Sequence, residues 1–169
     1  INVDNTIISK CGQYSVVCNI GGVYNFTHCT FANYWNYSLR NTPSILLNNY
    51  YEAENGNIYI RDLEAANFTN CIIDGSLSTE ISLQKQELGI FNYNFNHCLI
   101  KIDTTNSIQH SNYNEVIINQ SPEFISPDDL HLTENSPAIN AGDISTQNTS
   151  DIEGNNREYP DIGAYEFTE

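Results

Sequence analysis

A chain of 169 residues with six Lys/Arg against 21 Asp/Glu carries a formal charge of −15, and 40% of it is hydrophobic. That balance excludes a nucleic-acid partner, whose binding depends on Lys and Arg neutralising phosphates, and disfavours anionic membrane surfaces. The length suffices for one domain with a core, the apolar residues are too frequent for disorder, and no run approaches the ~18 residues of a membrane span.

An acidic extracellular or periplasmic protein that meets cations or neutral sugars fits these limits. The chain lacks methionine and opens on "INVDNTIIS" with no signal peptide, so a piece of a longer protein is expected.

The first element in chain order is "VDNTII" (3–8), and it recurs. "FTHCTF" (26–31), "FTNCII" (68–73) and "FNHCLI" (95–100) superpose on it, with "YNEVII" (113–118) as a weaker fifth copy. The first column is apolar (Val3, Phe26, Phe68, Phe95, Tyr113) and the third polar (Asn5, His28, Asn70, His97, Glu115). The fourth is small (Thr6, Cys29, Cys71, Cys98, Val116) and the sixth apolar again (Ile8, Phe31, Ile73, Ile100, Ile118). Shared register of this kind is an internal repeat.

Each copy reads as a strand, a sharp bend at the third position and another strand. Asn tolerates the left-handed backbone that such a bend needs, and His is enriched there as well. The bend therefore explains His28 and His97 better than catalysis does, and His110 and His131 fall in turns without a role. Fourth-column intervals of 23, 42, 27 and 18 residues contain no amphipathic helical run. Short β-prone stretches broken by Asn, Gly and Asp predict an all-β parallel β-helix (solenoid). Coils occupy residues 1–120, the 42-residue interval being one coil with an insertion at about 33–56 in which "SILLNNYY" supplies a strand. Residues 121–169 form a C-terminal capping region of the same domain, and a monomer is expected.

Five cysteines (Cys11, Cys18, Cys29, Cys71, Cys98) are an odd number without zinc-site spacing. Cys29, Cys71 and Cys98 form one interior column and read as small buried hydrophobes. Disulfides between neighbouring coils are the alternative, but parallel Cβ directions suit their torsions poorly.

The tract "SPEFISPDDLHLTENSPAINAGD" (121–143), followed by "TSDIEGNNREYPDIGAYEF" (149–167), resembles the C-terminal end of bacterial right-handed parallel β-helix proteins. These are pectate-lyase-like proteins with a choice-of-anchor Q type of region. The matching residues are Pro122, Phe124, Leu130, Leu132, Ser136 to Ile139, Gly142, Asp143, Asp151, Gly154, Asn155, Arg157 and Asp161 to Glu166. The resemblance implies a right-handed solenoid on a secreted or surface-anchored bacterial protein, often a lipoprotein. It implies no single activity, because the fold hosts polysaccharide lyases and hydrolases as well as adhesins.

Several residues are candidates for chemistry. Asp151, Glu153 and Asn155 alternate like the start of a calcium loop, yet glycine comes at the fourth position and Ile162 stands where a bidentate Glu is needed. No cofactor is expected, and calcium is the one ion these residues bring into question. Arg157, the last of the six Lys/Arg, is expected instead to pair with Asp151, Asp161 or Glu166. The segment then plugs the open end of the solenoid, with "IGAYEF" as a final strand. A lyase needs a cation and a base together, but Lys10, Arg40, Arg61, Lys85, Lys101 and Arg157 are scattered. A hydrolase needs two carboxylates about 5–9 Å apart, for which Asp62, Glu64 and Asp74 are the candidates, against a background of solvated acids. Tyr34, Trp35, Tyr37, Tyr50 and Tyr51 bracket the insertion and are the candidates for stacking on neutral sugar rings; otherwise they pin the insertion to the wall. Two functions follow. One is a surface protein that binds glycans or mediates contacts; the other is part of a polysaccharide lyase or glycoside hydrolase.

Overall fold

The computed structural model describes residues 1–104 and 110–168 and shows an all-β chain. Three parallel sheets carry the core. The first sheet joins β1 (Asn2–Asp4), β4 (Gly22–Thr27), β9 (Leu63–Thr69), β12 (Phe91–Asn96) and β14 (Tyr113–Asn114). The second joins β2 (Ile7–Ser9), β5 (Thr30–Asn33), β10 (Ile72–Gly75), β13 (Leu99–Ile100) and β15 (Ile117–Ile118). The third joins β3 (Val16–Cys18), β6 (Ile45–Asn48) and β11 (Ile81–Gln84). Two antiparallel hairpins complete the strands: β7 (Tyr50–Glu52) with β8 (Ile58–Ile60), and β16 (Phe124–Ser126) with β17 (Asp129–Leu132). The chain thus visits the first, second and third sheets in turn and then begins again.

The pairings follow the repeat residue by residue. Val3, Phe26, Phe68, Phe95 and Tyr113 are consecutive partners in the first sheet. Ile8, Phe31, Ile73, Ile100 and Ile118 are consecutive partners in the second. Between the two sheets stands the predicted bend. Asn5, His28, Asn70, His97 and Glu115 all adopt left-handed backbone, with φ of 43°, 49°, 54°, 48° and 50°. The ladder continues through each corner: the amide of His28 donates to Thr69 O at 3.0 Å and that of Asn70 to Asn96 O at 3.0 Å.

Inside the corner, Phe26, Phe68, Phe95 and Tyr113 stack at centroid separations of 4.8, 4.9 and 5.4 Å. Such stacks contribute roughly 0.5–1.5 kcal/mol per pair beyond the burial itself. Cys29, Cys71 and Cys98 are buried free thiols. Each donates to carbonyl oxygens, Cys98 to Phe68 O at 3.3 Å and Cys71 to Thr69 O at 3.3 Å. Burial holds the Cys71 thiol well above its usual range, and the neighbouring thiols add to this.

Between Cys29 and Cys71 the chain crosses each sheet once. The expected insertion at 33–56 is not continuous, however. Ile45–Asn48 pairs with Val16–Cys18 on one side and Ile81–Gln84 on the other, which makes it a strand of the third sheet. The extra length divides into a loop, 34–44, and the β7–β8 hairpin.

The C-terminal region also departs from expectation. It covers the outer wall of the second sheet rather than an open end. Side chains alternate across a strand, so Ile73 faces the core and Ile72 faces outward. Ile72 and Leu99 form a second apolar cluster with Leu132, Ala138 and Ile162. A sheet with apolar residues on both faces must be covered on both. Ile162 donates to Ala138 O at 3.0 Å and Gly163 to Asn70 O at 2.9 Å. Gly163 has φ 110°, and a Cβ there would sit 2.8 Å from Ile72 Cδ1, so only glycine allows this approach. "IGAYEF" adds no strand; its backbone binds Asn70 and the Thr30 hydroxyl instead.

Candidate functional site

Extending the repeat by one position aligns Ser9, Ala32 and Asp74 in the second sheet, with Lys101 and Asn119 directly past the ends of β13 and β15, where their amides donate to Ile73 O and Ile100 O. Asp74 pairs with Ala32, whose small side chain leaves room, and its side chain meets Lys101 from the next pass. The Asp74 carboxylate is buried. It accepts from the Tyr34 hydroxyl and lies 3.5 Å from Lys101 Nζ. Lys101 also donates to Gly75 O at 2.7 Å. Burial raises the Tyr34 phenol, and the hydrogen bond to Asp74 raises it further, so the hydroxyl keeps its proton and remains the donor. These three side chains, with Asn119, Gln120 and Ser121, line a cleft of about 310 Å³. Tyr34 also borders an adjoining cleft of about 250 Å³ along Ser121–Pro127, where its ring meets Phe124 edge-on at 6.4 Å.

The site combines one residue expected to act on sugars, Tyr34, with one expected to act as an acid, Asp74. Lys101 was missed, although it follows the last repeat position directly. The other candidate acids lie elsewhere. Asp62 is exposed and accepts from the Ile90 amide at 2.8 Å; Glu64 is exposed on β9. A second buried acid, Glu80, is committed to structure. It pairs with Arg40 at 2.6 Å and accepts from the Ser44 hydroxyl at 2.7 Å and the Leu77 amide at 2.9 Å.

The remaining aromatic candidates divide into two groups. Trp35 lies against Gly12, where a Cβ would stand 3.4 Å from the indole ring, and tilts against the exposed Tyr37 at 4.9 Å. Tyr51 stacks on Tyr59 across the β7–β8 hairpin at 5.1 Å with Arg61 over its ring, while the Tyr50 hydroxyl reaches Gln84.

In the tract that resembles the start of a calcium loop, the Asp151 carboxylate faces donors. It accepts from the amides of Glu153 (2.9 Å), Asn155 (2.8 Å) and Glu166 (2.9 Å), and from Asn155 Nδ2 (3.0 Å). Burial opposes its charge, but these donors hold its carboxyl below the usual range. Glu153 reaches His131 instead, at 3.3 Å. Arg157 pairs with Glu166, and donates to Gly163 O at 3.0 Å and Asn5 Oδ1 at 3.2 Å. Asp161 accepts from the Asn140 and Phe167 amides. The carboxylates thus bind backbone and the arginine, which is a tie.

No family model, curated protein or solved structure matches this chain.

Proposed function

We propose that this chain is part of a secreted or surface-anchored bacterial protein that binds neutral glycans in the Tyr34–Asp74–Lys101 cleft. Its sheets would be the faces of a right-handed parallel β-helix of the pectate-lyase-like kind, with coils over 1–120. Residues 121–169 would be a C-terminal region folded along them, and the protein a monomer. The order of strands through three parallel sheets supports the solenoid.

The observation that carries the function is the buried Asp74 carboxylate at a cleft wall, flanked by a phenol and an ammonium, in a cleft that Gln120 and Ser121 also line. Sugar hydroxyls donate and accept at once, and a mixed set of this kind serves both needs. A charge of −15 repels uronate polymers and leaves neutral ones. The rings of Trp35 and Tyr37, which follow Tyr34 in sequence, would supply stacking surface.

A glycan array followed by calorimetry tests this. At least one neutral oligosaccharide should bind, and Tyr34→Phe and Asp74→Asn should each weaken it about tenfold, the equivalent of roughly 1.4 kcal/mol. Binding unchanged in both variants would move the site elsewhere.

The burial of Asp74 beside a lysine also favours a second function, in which it is the acid or base of a polysaccharide-cleaving enzyme. New reducing ends or unsaturated uronate absorbance, abolished by Asp74→Asn, would establish that one.

A further inference from the structure

Five left-handed bends line one border of the second sheet, and the C-terminal region treats them unequally. The first three are sealed. Asn5 Nδ2 donates to Ser150 O at 2.9 Å, His28 Nε2 meets the Thr146 hydroxyl at 3.0 Å, and Asn70 Oδ1 accepts from the Asp143 amide at 2.7 Å. The last two bends make no such side-chain bond to that region among the described residues. His97 and Glu115, the last two bends, line an open cavity of about 380 Å³ with Val116, Ile117 and Asn140–Gly142.

Hydrogen bonds orient the His97 ring. Asn96 Nδ2 donates to Asp143 Oδ2 at 2.9 Å, which orients the amide and leaves Asn96 Oδ1 as acceptor. That oxygen lies 3.1 Å from His97 Nδ1, so Nδ1 carries the proton and neutral His97 keeps an acceptor lone pair on Nε2. Glu115, exposed on the next pass, has no hydrogen-bond or ion-pair partner among the described residues. The cavity therefore combines an oriented imidazole acceptor with a carboxylate unpaired among the described residues, in a chain of charge −15.

We propose that this cavity binds a small polar ligand through a protonated primary amine, as on an amino sugar. An ammonium offers three donors, and a charge-assisted bond to Glu115 is about twice as strong as a neutral one. His97 Nε2 accepts a hydrogen bond from a second ammonium N–H, and Asn140 also lines the cavity. A resident metal ion fits less well, because the described residues hold no cluster of three or more ligating side chains. The inference does not depend on the Tyr34–Asp74–Lys101 cleft.

Calorimetry at neutral pH and low salt, with glucosamine, N-acetylglucosamine and glucose, tests it. Glucosamine should bind saturably, and Glu115→Gln should weaken it roughly tenfold. His97→Asn, which keeps a residue type the chain already uses at two bends, should do the same. Tyr34→Phe should leave it unchanged. The His97 ring should show the Nδ1–H tautomer by nitrogen-detected NMR and shift on titration with glucosamine. Equal affinity for glucosamine and its N-acetyl form, or full affinity in both cavity variants, would overturn the proposal.

Discussion

The stacked passes and the C-terminal region are held by opposite means. In the passes, identical apolar positions meet in register: Phe26, Phe68 and Phe95 stack, and the backbone ladder makes the corners. The C-terminal region has little regular structure after Leu132 and is fastened by charged and polar side chains. Arg157, Asp151, Asp161 and Glu166 serve its own irregular backbone, while Asn5, His28 and Asn70 reach it from the bends. A repeat can rely on its neighbours for hydrogen bonds; an irregular segment needs side chains to supply them.

Acid should separate the two regions most sharply. Burial, aided by the Arg157 charge, lowers the His28 imidazole to about 3 from an ordinary 6.5. The unfolded chain then binds a proton that the folded chain refuses. The His28 contribution to stability should fall as pH drops from about 6.5 towards 3, by on the order of 4 kcal/mol at the acid end. Glu166, whose carboxyl burial raises to about 7, contributes the opposite sign between about 7 and 4.5. His28→Asn keeps the bend and should remove most of that slope. Urea titrations across this range check it, and an unchanged slope would contradict the assignment to His28.

In the passes, Phe68→Ala removes the centre of the ring stack and should cost about 3–5 kcal/mol, lowering the urea midpoint of the whole chain. In the C-terminal region, Arg157→Ala leaves Glu166 buried without its partner. The cost should reach the lower end of about 3–5 kcal/mol, because the segment can lift and hydrate the acid. Hydrogen exchange should then rise over 143–168 while the amides of β9 and β12 stay protected, and EDTA should change nothing. Equal exchange in both regions would mean that they form one cooperative unit.

The smallest effect belongs to His131, which bonds Asp129 at 2.6 Å and stacks on Tyr165 at 3.9 Å. The bond to Asp129 raises its pKa above the ordinary 6.5, and Glu153 adds to this. The contribution is fully present below pH 6.5 and is lost as pH rises through the folded value. It is partly exposed, so His131→Gln should cost only about 0–1 kcal/mol below that pH and less above it. A cost that grows with pH would reverse this sign.

Much of the stacked region was legible because parallel neighbours demand the same residue type at the same position. Phe26 above Phe68, and Asn5 in line with Asn70, could be read from the motif alone. Lys101 became legible only by continuing the motif one residue past Ile100. The path of the C-terminal region was harder, since irregular backbone leaves no period. Yet the adjacent pair Ile72–Ile73 carried a signal: two apolar residues in succession on one strand require cover on both faces. The Arg40–Glu80 pair left no trace, because partners 40 residues apart share no pattern.

The bond between Asn5 and Ser150 spans 145 residues of chain. Stacked repeats ordinarily assemble through contacts between successive units, and such local closures form fast. A brace that returns from the last passes to the first closes its loop only after they exist. It should therefore be absent from the rate-limiting transition state. On that hypothesis Arg157→Ala speeds unfolding and leaves refolding almost untouched, whereas Phe68→Ala slows refolding as well. Stopped-flow measurements on the two variants decide it: a refolding rate reduced in Arg157→Ala would place the brace in the nucleus. If the brace does close last, this protein builds its repeats as an array and keeps them as a single kinetic unit.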